Sequence, residues 1–250
     1  MSITYFDNPA RRLLTILTKA KLIPINESAF SAWREIFDLS DDTATKDILM
    51  KIGKLYKLLE EVNEFIKVTA PNSLEDNNYW TTQVLYFLAQ SNLSNLNKSW
   101  ADSICYIDEH TIKYLRMTVQ IIDFNLDKTQ NNHLKNLDTN KIKDINGSIK
   151  KLYEEVLNSD LNEQLKISVL KYLSRLIQTL EEYWITGSEA VLEAIELTIG
   201  HMTIDSKYRE FMTKEPLGSS IMQKVSDIIV IMTATKGFLE IIEKTKLLLN

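Results

Sequence analysis

Residues 161–202, LNEQLKISVLKYLSRLIQTLEEYWITGSEAVLEAIELTIGHM, read as two helices joined by a tight turn at Ile185-Thr186-Gly187. In the first, Leu165, Val169, Leu173, Leu176, Leu180 and Trp184 recur at three- and four-residue steps, the period of one helix face. Lys166, Lys171, Arg175, Glu181 and Glu182 mostly fall elsewhere. Asp160 is placed to cap the start, with Glu163 completing a capping box. Gly187 fits the left-handed residue that ends many helices, and Ser188 can cap the next one. The second helix then buries Val191, Leu192, Ile195, Leu197 and Ile199 and stops at Gly200. A short turn makes the two antiparallel.

The same signals extend both ways. Asn8-Pro9, Asn26 or Ser28, Asp41 or Asp42, Asp108 and Asp138 each precede a helical apolar period. The helix after Asp108 is expected to fade at Asn125. EPLGSS, residues 215–220, reads as a loop, and the last helix begins near Ser219. The run Ile228 to Met232 is apolar all round, which predicts burial on more than one side. Only 6 Gly and 4 Pro occur in 250 residues, too few for the many turns of a sandwich or doubly wound sheet. The expectation is an all-α, multi-helix bundle of about eight to ten helices and no sheet. The polar run LDKTQNNHLKNL, 126–137, separates an N-terminal helical region, 1–125, from a C-terminal one, 138–250, built on the 161–202 pair. The alternative is one continuous domain.

Composition excludes several classes. The apolar fraction of 44% and charged fraction of 25% are those of a globular chain. The net charge of −5 makes nucleic acid an unlikely partner, since such binders carry a basic face. No apolar run is long enough to span a bilayer. The start, MSITYFDNPARRLL, lacks the apolar core of a signal peptide, and the single Cys105 cannot form an internal disulfide, so a cytoplasmic location is expected.

Motifs for chemistry are missing. There is no P-loop, G-x-G-x-x-G or G-x-S-x-G. His110, His133 and His201 lack ligand spacing, so no metal and no cofactor is expected. Glu60-Glu61, Glu154-Glu155 and Glu181-Glu182 are adjacent on helices and point about 100° apart, away from any common site. Glu189, Glu193 and Glu196 do share a face and can meet a basic partner. Tyr79-Trp80, at a loop-to-helix junction, reads either as core or as a rigid contact surface, with Trp80 the contact residue. Phe238, Leu239, Ile242 and Leu248 on the last helix are further partner-binding candidates.

NPARRLL, YIDEHTIKYLRMT and YWITGSEAVLEAIELTIGH resemble segments of an uncharacterised, patchily distributed family of bacterial all-helical proteins. The resemblance implies a bacterial cytosolic protein, in a setting of mobile or defence-associated genes, and supplies no catalytic residues. The leading functional expectation is a non-enzymatic protein–protein interaction or regulatory protein, such as an accessory component of a defence or toxin-related system, with an unidentified protein partner. The alternatives are an enzyme or toxin-like effector with a dispersed acidic site, and peripheral membrane binding through the C-terminal helix. In that helix Asp227, Glu240 and Glu243 dilute Lys224, Lys236, Lys244 and Lys246.

Overall fold

The computed structural model describes residues 6–69, 78–129 and 137–232. Among them it contains eleven helices and no strand; Ser28 and Ser99 form an isolated antiparallel bridge. Cα proximity divides the chain into two compact units, Asn8–Gln130, and Asn131–Asn250 together with Met1–Asp7.

The Asn8–Gln130 unit holds α1 (Pro9–Leu22), α2 (Ala29–Ile36), α3 (Thr45–Thr69), α4 (Asn78–Ala89), the single turn α5 (Ala101–Ile104) and α6 (Glu109–Thr129). Asn8 Oδ1 caps α1 by accepting from the backbone N–H groups of Ala10 and Arg11 at 3.0 and 3.2 Å. Its amide also donates to Val119 O at 3.1 Å and to Asp123 at 2.8 Å, which ties the start of α1 to α6. Ser28 caps α2, and Asp108 caps α6 through Thr111 N–H at 2.7 Å. Neither Asp41 nor Asp42 opens α3, which starts at Thr45. Asp41 instead pairs with Arg34, and Asp42 takes the Ser40 hydroxyl. α6 continues past Asn125 to Thr129 because Leu126 still falls on the buried face.

Aromatic rings fill the centre of this unit. Trp33 stacks on Phe37 at 5.1 Å and meets Trp100 edge-on at 5.5 Å, and Phe87 closes against both indoles. A buried indole N–H needs an acceptor. Trp33 donates to Ser91 Oγ and Trp100 to Ala20 O.

The Asn131–Asn250 unit holds α7 (Thr139–Leu157), α8 (Glu163–Glu181), α9 (Tyr183–Ile204), α10 (Ser206–Lys214) and α11 (Pro216–Met232). α8 packs on α7 and α9, and α10 on α9 and α11. Val169, Leu173, Leu176 and Leu180 of α8 are buried against Val156, Val191 and Ile195, the core that the 161–202 pattern predicts. Trp184 is half-buried rather than central.

Several local expectations are corrected here. Asn162, not Asp160, caps α8, accepting from Gln164 N–H at 3.1 Å; Glu163 then stands at the first helical position and makes no capping box. Gly187 has φ 71° and ψ −171°. That is outside the left-handed helical well, in a region open essentially to glycine alone. Leu197 is exposed, because the buried stripe of α9 runs through Val191, Ala194, Ile195, Thr198 and Met202 and leaves it on the far side. Gly200 does not end the helix, which reaches Ile204. EPLGSS is not a loop, since α11 starts at Pro216, the position where proline loses no hydrogen bond. Gly218 within it lies so close to α10 that an added Cβ would sit 2.0 Å from Phe211 O. Within Ile228 to Met232, Val230 is exposed, so α11 buries one side only.

Candidate functional site

Of the residues picked from sequence, Glu189, Glu193 and Glu196 are exposed on α9, with Glu193 3.5 Å from Arg175 of α8. Phe238, Leu239, Ile242 and Leu248 lie outside the described residues. Trp80 is fully buried, which corrects its assignment as a contact residue: its indole belongs to the core. His110 is exposed and His133 is outside the described residues. Among the described residues no three His, Cys, Asp or Glu side chains gather as a cation shell. Nor is any described helix long and apolar enough to cross a membrane.

His201 lies between Tyr172 and Tyr208, ring centroids 4.9 and 4.8 Å away, with Asp205 Oδ2 3.7 Å from its Nε2. Asp205 caps α10 through the N–H groups of Lys207 and Tyr208. The Tyr208 bond foremost holds its carboxyl below the ordinary value. Burial pushes the Tyr208 phenol upward. This cluster knits the α9–α10 corner together, with Tyr208 buried and Tyr172, His201 and Asp205 partly exposed. At the other end of α9, the Ser188 N–H freed by the Gly187 kink donates to Asp7 Oδ2 at 2.6 Å. Tyr183 OH accepts from Leu137 N–H at 2.7 Å and lies 3.3 Å from Ser188 Oγ. Both arrangements satisfy backbone groups and read as structural.

The tyrosines of the Asn8–Gln130 unit are arranged differently. Tyr79 and Tyr86 are seven residues apart on α4, so they point within about 20° of each other and stand two turns apart. Both are exposed, at 43% and 52%. Tyr86 lies 5.6 Å from the ring of Tyr106, just after α5, and Tyr79 lies 6.3 Å from Tyr114 of α6. Tyr79 OH donates to Asp108 Oδ2 at 2.5 Å, while Asp108 Oδ1 accepts from Thr111 N–H. For Asp108, burial acts upward, but the Tyr79 and Thr111 bonds outweigh it and hold the carboxyl below its usual value. The same bond raises the Tyr79 phenol. Asp108 thus serves twice, as the cap of α6 and as the anchor that fixes the Tyr79 ring. The two ring pairs, spaced two turns along α4, make up a tyrosine strip in which Tyr79, Tyr86 and Tyr114 are exposed and Tyr106 is half-buried, with Met117 exposed on the same side of α6 as Tyr114. Sequence pattern pointed to the Tyr79-Trp80 junction but took the wrong ring. On a helix, adjacent residues diverge by about 100°, so the burial of Trp80 is what turns Tyr79 outward.

No family model matches the chain, and no curated protein or solved structure matches it.

Proposed function

We propose that this is a helical interaction protein that docks a partner protein through the tyrosine strip of α4, α5 and α6. The observation behind the reading is the exposure of three rings, Tyr79, Tyr86 and Tyr114, with Tyr106 half-buried beside them, all held in place by neighbouring rings and, for Tyr79, by Asp108. Tyrosine offers a large amphipathic contact area at low entropy cost, and a pre-positioned ring lowers that cost further. Such residues dominate binding energy when they anchor an interface. The bacterial, defence-associated setting is part of the proposal and rests on the resemblance of the three segments quoted above.

The test is comparative capture. Immobilised full-length protein and its Tyr79→Ala/Tyr86→Ala form are exposed to an extract of the source cells, with circular dichroism confirming equal helicity. A protein retained by the first and lost by the second is the expected result. An identical set retained by both contradicts the reading.

A further inference from the structure

We infer that the segment received by the tyrosine strip is basic and presents arginine side chains to the rings. The inference rests on the docking role proposed above and adds the chemistry of the partner.

The charged group in direct contact with the rings is a carboxylate, Asp108. α4 carries no charged residue from Asn78 to Ala89. From there to Ile112 the acids are Asp102, Asp108 and Glu109, and the basic residues are Lys98 and His110, the latter exposed one turn before Tyr114 and about 40° from it around α6. Asp102 is exposed on α5, four residues before Tyr106, and Asp108 touches Tyr79 itself. Glu109 is turned the other way, toward α1, where it pairs with Lys21 at 2.6 Å. On α6 Lys113 and Arg116 are turned away from Tyr114, although Lys113 stands only about 40° from Met117. Counting about 100° per residue, Arg116 stands about 160° around the helix from Tyr114, and Lys113 about 100°.

The strip therefore offers ring faces with carboxylates beside them. A ring face carries negative quadrupole potential and attracts a cation within about 6 Å. Arginine suits this better than lysine, because its planar guanidinium stacks on a ring while its N–H groups reach a carboxylate. Asp108 spends one lone pair per oxygen on Tyr79 and Thr111 and keeps capacity for a further donor. An acidic segment would meet repulsion at the same places. The net charge of −5 on the chain adds long-range attraction for a basic partner, though only the strip supplies the rings.

The test uses two defined probes on the full chain, a short alanine peptide with two arginines four residues apart and its glutamate counterpart. Ring-proton shifts of tyrosine-labelled protein are followed at low salt and at about 0.15 M, where free surface charges are screened beyond about 8 Å. The expected result is saturable shifts at Tyr79 and Tyr114 with the arginine peptide only. The dissociation constant should rise at least tenfold in Tyr79→Leu/Tyr86→Leu, which keeps apolar bulk but removes the rings. Glu189→Gln/Glu193→Gln should leave it unchanged. Equal binding of the glutamate peptide, no binding of either, or arginine binding that survives loss of the rings would overturn the inference. A partner captured through the tyrosines while the arginine peptide fails would remove the basic assignment and leave the docking role standing.

Discussion

Gly218 and Gly187 show how much a single side chain can matter here. Gly218 is required by proximity. A methyl group there would collide with the backbone of Phe211, which cannot swing aside as a flexible side chain can. Gly218→Ala should therefore separate α10 from α11 and cost about 2 kcal/mol or more, measurable as a lowered urea midpoint. The same change at Gly200, where nothing lies within 4 Å, should be neutral or slightly stabilising. Gly187 is required by its dihedrals, which no L side chain adopts without strain. Asp205 gives a prediction with pH. Its carboxyl is held below the ordinary value by the Tyr208 N–H it caps. A depressed carboxyl stabilises the fold above its unfolded value of about 3.9, and that contribution is lost as pH falls through the lower folded value. Asp205→Asn keeps a capping oxygen but cannot titrate. Its melting temperature should fall less steeply than that of the parent between about pH 4 and pH 2; parallel curves would mean that Asp205 contributes no pH dependence.

At the scale of the element, α8 carries the second unit. Leu173 and Leu176 are each 1% exposed in the cluster that joins α7, α9 and α11. Replacing either with alanine should cost about 2–5 kcal/mol in chemical denaturation, and a loss under about 0.5 kcal/mol would place them outside the core. The helices were legible because their signals are local. Asn8, Asp108 and Asp138 each combine a capping side chain with a following apolar period, and each caps as read, while of the two candidates Asn26 and Ser28 it is Ser28 that caps α2. Where two cap-formers compete within three residues, as at Asp160 and Asn162, sequence does not choose, and the neighbouring turn does. EPLGSS looked like a loop because proline and glycine usually break helices. Here proline starts one, and glycine serves the approach of its neighbour. Leu197 failed as a core residue because a mostly apolar helix hides which of its faces is buried.

At the scale of the whole molecule, the all-helical class followed from composition and period, but the candidate site did not. Tyr79 and Tyr114 are 35 positions apart, and Tyr86 and Tyr106 are 20 apart. No periodic pattern links them, and only the packing of α4 against α5 and α6 makes them neighbours. Acidic pairs and apolar terminal helices are visible to sequence reading, whereas a strip assembled from three segments is not. The central claim is a division of labour between adjacent residues, with Trp80 holding the fold and Tyr79 facing outward for contact. Guanidinium denaturation of Trp80→Ala and Tyr79→Ala, each against the parent, tests it most directly. Trp80→Ala should cost about 3–5 kcal/mol, as for other large buried rings. Tyr79→Ala should cost no more than about 1 kcal/mol, the worth of one exposed hydrogen bond and a ring contact. Equal losses at the two positions would make Tyr79 a structural residue and contradict the account.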